Sequence, residues 1–464
     1  AMMSLQRQLC AFLRARAQGP GWARAKATVA TTVPGRLKSL EELPGPSVLR
    51  CLYWYLLRGY LLHMHDLQVS RGCPGLRGLS RSPRSPKTAH LRGKRGRLWS
   101  GTEHEGAAQS DARAPCRDGE RWHRLRQVLN RRMLKPTEAM LYAGTLNAVT
   151  SDLLGRLEAK RRGSPSGQGL GDVASLLYRF ALEGIASILF ETRIGCLEPQ
   201  VPPETQRFID AIGCMFRDSV FVTALPAWTR PLLPFWDRYL RSWDTIFAFG
   251  KQLIDRRMEE LAAQQERGQE ASGYLSYLLA CGHLTPTQVY GSVAELLLAG
   301  VDTTSNTLSW ALYHLARDPQ AQANLHREVT GVVGGQVPDV PHLAQMPLLK
   351  AIIKETLRLY PVVQVNSRVA VEKDIIVGGY LFPKGTLISF AHFTLSRDER
   401  SFPEPERFLP QRWLRAGAAP HHPFSSIPFG YGIRGCVGRR IAELEMHLAL
   451  ARVSGGVRPH IHLW

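Results

Sequence analysis

The sequence lacks three features, each of which would have assigned it to a class of protein. Its eight cysteines contain no C-x-x-C pair, which argues against a disulfide framework and a thiolate zinc site and fits a reducing compartment. No apolar run is long enough to cross a bilayer, because even residues 51–65 are interrupted by Arg58 and predict an amphipathic helix. No uninterrupted apolar segment follows the first charges, as a secretory signal would require.

Acidic residues are missing from two segments that carry most of the net charge of +20. Residues 1–40 contain seven Lys or Arg and no acid, and residues 71–97 contain nine and no acid. The excess charge therefore belongs to these segments and not to the body of the chain, which is poor evidence for nucleic-acid binding. Residues 1–40 are also rich in Ala, Ser and Thr and predict a mitochondrial transit peptide, with a disordered basic tail as the alternative.

The body of the chain, residues 118–452, has mainly helical periodicity and predicts a mainly α fold with small β sheets. The clearest helix has Thr285 as N-cap, Pro286 at its first position and Gln288 as the partner in a capping box. Pro319 ends it after roughly 32 residues. Its middle, residues 294–299, is nearly all apolar, so we expect this helix to run through the core.

Shorter elements follow. A second helix is predicted over Pro347–Leu359, since Pro361 comes directly afterwards. Residues 374–390 have strand-like composition, and Gly378–Gly379 suits a hairpin turn.

Three segments outside the body differ from it. Residues 41–70 are predicted to form an N-terminal amphipathic helix region. Residues 71–117 are dense in Gly, Pro, Ser and Arg without an apolar period, and such a composition predicts disorder. Residues 453–464 show no pattern that predicts a helix or a strand.

The most informative stretch is residues 427–440, IPFGYGIRGCVGRR. It satisfies the order F-G-x-G-x-R-x-C-x-G with Phe429, Gly430, Gly432, Arg434, Cys436 and Gly438. Glycines 430 and 432 permit a tight bend, and Gly438 would let a flat cofactor lie close to the backbone. A helix is predicted to begin just after Cys436, and its N-terminus favours thiolate over thiol. A buried inert cysteine would not explain the other five residues, so we interpret this sulfur as an anion held for a metal.

This segment resembles the haem-binding loop of the cytochrome P-450 family. The resemblance implies a P-450 fold and haem b, with the Cys436 thiolate as axial ligand of the iron and Phe429 and Arg434 at the cofactor. It also implies an oxygen-binding groove at Ala299–Thr304 on the long helix. There Asp302 and Thr303 resemble the acid–alcohol pair that delivers protons to bound dioxygen. The alternative is that Thr303 only donates a hydrogen bond to its own helix, which is compatible with the proton-delivery role.

Further positions match the family. Glu355, Arg358 and Arg412 resemble the glutamate–arginine–arginine triad that supports the cysteine loop. Trp122 and Arg126 match the W-x-x-x-R that binds haem propionates, and Arg434 and Arg368 occupy positions that do the same in relatives.

The mitochondrial class of the family is the most similar. Lys350 and Lys354, one turn apart, resemble the lysines that dock an adrenodoxin-type 2Fe–2S ferredoxin, although a solvated lysine face is the alternative. The resemblance is strongest to sterol 27-hydroxylases, then to vitamin D hydroxylases. It implies a sterol substrate and a peripheral location on the matrix side of the inner mitochondrial membrane. Residues 226–236, rich in Trp and Pro, could contact that membrane or pack in the core.

The sequence departs from the family in two places. Residues 71–117 replace most of the N-terminal β-sheet and a helix over the substrate channel, and residues 453–464 replace the C-terminal strands that wall the pocket. We therefore expect a P-450 fold that is incomplete at these places. The alternative function is an inactive or misfolded truncated or splice form of such an enzyme. A nucleic-acid or membrane-binding protein would rest only on the basic segments.

Overall fold

The computed structural model describes residues 119–163, 172–224, 233–267, 273–282, 284–370, 372–414 and 422–456. The predicted transit peptide, the amphipathic region 41–70 and the segment 71–117 lie outside the described residues, as do residues 457–464.

Two compact units divide these residues. The sheet unit consists of residues 363–370, 372–407 and 422–430, and the helical unit contains the remainder. The helices of the helical unit are α1 Gly119–Met133, α2 Pro136–Met140, α3 Ala143–Arg162, α4 Val173–Leu189, α5 Pro203–Ala224, α6 Phe235–Glu266, α7 Tyr274–Ala280, α8 Pro286–Arg317, α9 Pro319–Val333, α10 Val340–Ala344, α11 Pro347–Leu359 and α13 Arg439–Gly456. The predicted mainly α class is confirmed.

Helix α8 begins and ends at the predicted residues. The Thr285 hydroxyl accepts a hydrogen bond from the backbone N–H of Gln288 at 3.3 Å, and the Gln288 side chain accepts one from the N–H of Thr285 at 3.0 Å. These reciprocal bonds satisfy two N–H groups that a helix start would otherwise leave without partners. Val293 and Leu297 are fully buried, so the helix runs through the core as expected.

Close approach of backbones lets α4 and α8 form the most extensive helix–helix contact of the helical unit. A Cβ added at Gly300 of α8 would lie 3.0 Å from Cγ1 of Ile185 on α4. Helix α4 also meets α13, because a Cβ at Gly184 would lie 2.5 Å from Oε1 of the buried Glu445. Helix α4 therefore contacts both helices that carry the predicted chemistry.

Helix α13 extends four residues beyond Arg452, where the sequence pattern had ended. Tertiary contacts explain this extension, since Val453 is buried and the Ser454 carbonyl lies 2.7 Å from Nδ1 of His326 on α9. Two glycines at the end of a helix lower its intrinsic propensity, but packing against α9 outweighs that effect.

The sheet unit contains four short strands and a single-turn helix, α12 His392–Leu395. Strand β2 (Ile375–Val377) pairs antiparallel with β3 (Tyr380–Phe382) across the predicted turn, where Gly378 and Gly379 have φ of 59° and 81°. Two residues with positive φ are what a tight hairpin needs, which confirms that prediction. Strand β1 (Asn366–Val369) pairs antiparallel with β4 (Leu387–Phe390) and was not predicted.

Within the part of the chain that the structure describes, no helix is both long and apolar enough to cross a membrane.

Candidate active site

The loop around Cys436 bends where the glycines predict it. Gly430 and Gly432 have φ of 69° and 73°, which side chains other than glycine rarely adopt. A turn of 3₁₀-helix, Gly432–Arg434, closes with a 2.9 Å hydrogen bond from Gly435 N–H to the Gly432 carbonyl. Helix α13 begins three residues after Cys436, so the thiol lies just before a helix N-terminus as expected.

The Cys436 residue has accessible surface, yet the protein around its thiol excludes enough water to raise the pKa of that thiol. Backbone N–H groups of Gly438 and Arg439 and the charges of Arg126 and Arg439 lower the pKa, as the helix N-terminus predicts. Desolvation is the larger effect. The helix start thus favours the thiolate as expected, but burial outweighs it in the protein alone, and a metal cation at the sulfur would act in the same direction as the helix start.

Helix α1 brings two predicted cofactor residues against this loop. Trp122 and Arg126 are four residues apart, hence on one face of the helix. The guanidinium of Arg434 lies over the Trp122 ring, 3.4 Å from its centroid. Arg126 donates one hydrogen bond to the Gly435 carbonyl and another to Oδ1 of Asn130 at 2.7 Å. One arginine of helix α1 and one of the loop itself are thus fixed near Cys436.

These residues fit a planar cofactor that carries carboxylates and a soft metal. Burial lowers the pKa of Arg126, the nearby charge of Cys436 raises it and that of Arg434 lowers it, so the two guanidinium groups are close enough to repel. Such a pair favours an anion between its members. A Cβ built at Gly438 would meet no described atom within 4 Å, which leaves room beside the loop. The thiol of Cys436 supplies the ligand that iron in this chemistry prefers.

The middle of α8 is open along one face although its other faces are buried. Ala299 and Asn306 are exposed and Thr303 is half-buried, at the spacing of one helical stripe. The Thr303 hydroxyl donates a 2.8 Å hydrogen bond to the Ala299 carbonyl. The hydrogen bond from Thr303 to its own helix is therefore present. It uses the hydroxyl hydrogen, so the hydroxyl oxygen can still accept a hydrogen bond.

Asp302 is a half-buried carboxylate that forms no salt bridge with any residue the structure describes. Its Oδ2 atom is buried and has no hydrogen-bond partner among the described residues. Desolvation raises the pKa of this carboxyl. A half-buried acid with a raised pKa beside an alcohol is a combination found at proton-transfer sites.

Glu355, Arg358 and Arg412 form one cluster on α11 and the 3₁₀ turn Pro410–Trp413. Two guanidinium nitrogens of Arg358 each donate a 2.8 Å hydrogen bond to the Glu355 carboxylate. The Nε of Arg412 donates a third bond to that carboxylate, at 2.9 Å. Sequence reasoning missed two further donors, the Leu409 N–H at 3.0 Å and the Trp413 indole at 2.8 Å. Trp413 directly follows Arg412 in the chain, which was the only available signal.

The cluster keeps Glu355 charged in a fully buried position. Desolvation acts to raise its pKa, but hydrogen bonds from Arg358 and the Leu409 N–H, with the charge of Arg412, outweigh that effect and lower the pKa. The three predicted residues are therefore brought together, and both arginines donate to the Glu355 carboxylate.

The two predicted docking lysines lie on the surface of α11. Lys354 is exposed and its Nζ lies 5.8 Å from the centre of the Trp413 ring, whereas Lys350 donates to the Ala344 carbonyl at 3.3 Å. Burial lowers the pKa of the nearby His447 to about 4, and both lysines contribute to that decrease. The lysines thus form a positive surface next to a histidine that stays neutral.

The sheet unit holds the other two predicted cofactor residues. Arg368 lies on β1 and donates a 2.9 Å hydrogen bond to the Ser367 carbonyl, and Phe429 is half-buried. Their roles at a cofactor remain predictions. Trp236, from the segment expected at the membrane or in the core, is buried, which favours the core for that residue.

Comparison with known proteins gives the family directly. Residues 100–453 match the profile of the family described as "Cytochrome P450". The chain belongs to the cytochrome P450 family. It is a haem-dependent monooxygenase with the mainly helical fold of that family, which confirms the predicted cofactor and reaction class. The match begins at residue 100, inside the segment 71–117, and the predicted incompleteness of the fold stays a prediction.

Within this family, the chain is similar to mitochondrial hydroxylases of sterols and of vitamin D. The chain is 49% identical to a rabbit (Oryctolagus cuniculus) protein named "Sterol 26-hydroxylase, mitochondrial", over 94% of this chain and 88% of the relative. Identity to the human (Homo sapiens) protein of that name is 48%, over 96% and 92% respectively. A human "25-hydroxyvitamin D-1 alpha hydroxylase, mitochondrial" is 43% identical over 90% and 86%. The order of resemblance seen in the sequence and the mitochondrial location are both confirmed.

Proposed function

We propose that this protein hydroxylates a terminal side-chain carbon of a sterol or of a vitamin D compound, and that the Cys436 sulfur would hold the haem iron. One observation supports the assignment of this chemistry most strongly. The thiol of Cys436, a residue with accessible surface, lies beside two fixed arginines, at a loop whose glycines leave open space. Relatives named for sterol and vitamin D hydroxylation support the substrate class. The numbers 26 and 27 refer to the two equivalent methyl carbons at the end of a sterol side chain.

When bound, the haem supplies reductive activation of dioxygen, so that one oxygen atom enters a C–H bond and the other leaves as water. The balance is one substrate, one dioxygen, two electrons and two protons, giving one alcohol and one water. In this proposal Arg126 and Arg434 hold the two propionates through forked hydrogen bonds, with Trp122 stacked on Arg434 to fix its plane. Arg368 and Phe429 complete the cofactor set.

Protons reach the site through Asp302 and Thr303. Desolvation raises the pKa of the Asp302 carboxyl, which makes this group a better proton donor and acceptor pair than an exposed aspartate would be. The Thr303 hydroxyl, whose hydrogen is engaged with the Ala299 carbonyl, accepts at its oxygen and orients the proton donor. The Glu355 cluster takes no part in the chemistry and acts as structural support for the cysteine loop.

Electrons arrive from an acidic 2Fe–2S ferredoxin that docks on the surface around Lys350 and Lys354. Two cations one turn apart on an exposed helix face give a small attractive field suited to a short-lived complex. The protein acts at the surface of the inner mitochondrial membrane, from which an apolar substrate would enter.

The test is reconstituted turnover with ¹⁸O₂. Purified protein, a 2Fe–2S ferredoxin, its reductase and NADPH are incubated with cholesterol and, in a separate arm, with 25-hydroxyvitamin D. We expect a terminal side-chain alcohol that contains one ¹⁸O atom. Bound haem without product from either substrate would contradict the substrate class, and absence of bound haem would support the inactive alternative.

Docking is tested in the same assay. Lys354→Gln should raise the KM for ferredoxin about tenfold at low salt, with a smaller difference at high salt. Lys160→Gln, which removes a charge from α3, should leave that KM unchanged. Equal effects of the two substitutions would contradict the docking surface.

A further inference from the structure

Two polar atoms that lack partners lie on the facing helices α4 and α8. Oδ2 of Asp302 and the hydroxyl of Tyr178 are both buried, and neither has a hydrogen-bond partner among the described residues. An orphaned buried acceptor or donor costs about 1–3 kcal/mol, so two on one helix pair require a reason. The close contact between Gly300 and Ile185 holds the helices that carry them together.

Asp302 is close enough to Tyr178 to act on it electrostatically. Burial raises the pKa of Tyr178, and the negative charge of Asp302 raises it further. Cys196 is the other titratable group that acts on Tyr178, and burial with the charge of Glu183 raises the pKa of its thiol, so it stays neutral. Asp302 is thus the charged partner of the Tyr178 hydroxyl. Because no direct hydrogen bond joins them, a single water is the simplest connection between the two polar atoms.

We propose that Tyr178 is a positioning residue for Asp302: its hydroxyl donates to a bridging water, which donates to Oδ2 of Asp302 and fixes the carboxyl next to Thr303. The proposal rests on the proton-delivery role in the proposed function. A tyrosine suits this task because its rigid ring places the hydroxyl with few rotatable bonds, and a phenol is a good donor to a carboxylate. Tyr178 therefore does not carry the proton to the substrate side, and it sets the orientation of the residue that does.

The chain offers a matched control. Tyr274 on α7 is fully buried, and its hydroxyl also has no partner among the described residues. Burial raises the pKa of Tyr274, and the nearby Tyr142 and Tyr277 raise it further. Asp302 does not contribute to this increase. Tyr274→Phe and Tyr178→Phe thus remove the same atom from similar surroundings, and only the second change removes a donor directed at Asp302.

The first readout is infrared and does not depend on activity. In difference spectra recorded between acidic and neutral pH on the haem-loaded protein, the Asp302 carboxyl band is assigned by its loss in Asp302→Asn. We expect this band to shift in Tyr178→Phe and to keep its position in Tyr274→Phe. An unshifted band in Tyr178→Phe would overturn the proposal, whatever the substrate of the enzyme is.

The second readout is the fraction of electrons that end in hydroxylated product. Tyr178→Phe should lower this fraction about tenfold, the effect of one lost hydrogen bond to a carboxylate, and should increase the solvent isotope effect. The KM for substrate should not change. In the Asp302→Asn background, Tyr178→Phe should have no further effect, and independent effects in that cycle would overturn the proposal.

The same experiments separate the proposal from the proposed function. An enzyme without turnover can still show the infrared shift, in which case Tyr178 contacts Asp302 and the proposed function alone fails. If Tyr178→Phe does not fold, Tyr178→His, which keeps a ring donor, is compared with Asp302→Asn by the same band. An unshifted band there would also overturn the contact.

Discussion

Two carboxylates in the helical unit, the buried Glu355 and the half-buried Asp302, have opposite surroundings. Glu355 on α11 accepts hydrogen bonds from two arginines, a backbone N–H and an indole, and its pKa is lowered. Asp302 on α8 has one oxygen without any described partner, and its pKa is raised. The first environment fixes one charge state and one geometry. The second leaves the proton able to move, so the partners and not the residue type decide between support and chemistry.

The largest expected effect follows from removing the charge in the paired environment. Glu355→Gln removes the carboxylate charge that forms the fully buried salt bridge with Arg358 and should lower the free energy of unfolding by about 3–5 kcal/mol. Glu120→Gln is the control, because Glu120 and Arg124 are both 73% exposed, and the change should be below about 0.5 kcal/mol. Denaturant titration measures both. Similar losses in the two variants would contradict a supporting role for the cluster.

In the unpaired environment the same kind of change should affect turnover and leave the fold intact. Asp302→Asn removes a proton-transfer group and should lower the rate of product formation on the order of 100-fold. The haem content should match the wild type. A rate within a factor of two of the wild type would show that Asp302 does not deliver protons.

Stability should respond to pH in a defined direction at Asp302. Its folded pKa lies above the unfolded value of about 3.9, so folding favours the protonated form. The free energy of unfolding of the wild type then decreases as pH rises through the folded pKa of Asp302. The Asp302→Asn variant lacks this decrease, because its side chain does not ionise. We expect the Asn variant to be at least as stable at pH 7.5, with the difference smaller near pH 4. A less stable Asn variant at pH 7.5 would contradict a raised pKa at Asp302.

The smallest expected effect compares two threonines with the same local bond. Thr303 and Thr356 donate back to the carbonyls four residues earlier at 2.8 and 2.9 Å. Replacement of either by Val should lower the free energy of unfolding by about 1 kcal/mol. Only Thr303→Val should divert electrons from product to peroxide, measured by peroxide formed per NADPH. If Thr356→Val formed as much peroxide per NADPH as Thr303→Val, the surroundings of Asp302 and of Glu355 would not differ in function as described.

Local rules made much of the helical unit predictable. The capping box at Thr285 and the prolines that flank α8 and α11 act within a few residues, so the bounds of both helices follow from the chain itself. The spacing of Trp122 and Arg126 and of Glu355 and Arg358 likewise places each pair on one helix face. The turn at Gly378 needs only positive φ at two successive residues.

Partners distant in sequence were not predictable in the same way. The indole of Trp413 meets Glu355 across 58 positions, and β1 pairs with β4 across a connection that no local signal defines. The end of α13 depends on its contact with His326. Tyr178 resembled any other half-buried aromatic in an apolar helix, and only the position of its hydroxyl distinguishes it.

Desolvation was the effect that sequence reasoning underestimated. A helix start with arginines nearby predicts a thiolate, yet burial raises the pKa of Cys436. The number of atoms around a sulfur depends on how α1 and the loop pack, which no short pattern contains.

The reduced carbon monoxide difference spectrum tests the central claim, that Cys436 is the axial ligand of the haem. Cys436→Ser is compared with Cys281→Ser, which alters a partly exposed cysteine near the end of α7. The account predicts a thiolate-type Soret band in the wild type and in Cys281→Ser, and no such band in Cys436→Ser. A thiolate-type band that persists in Cys436→Ser, or one that is missing from the wild type, would contradict the account.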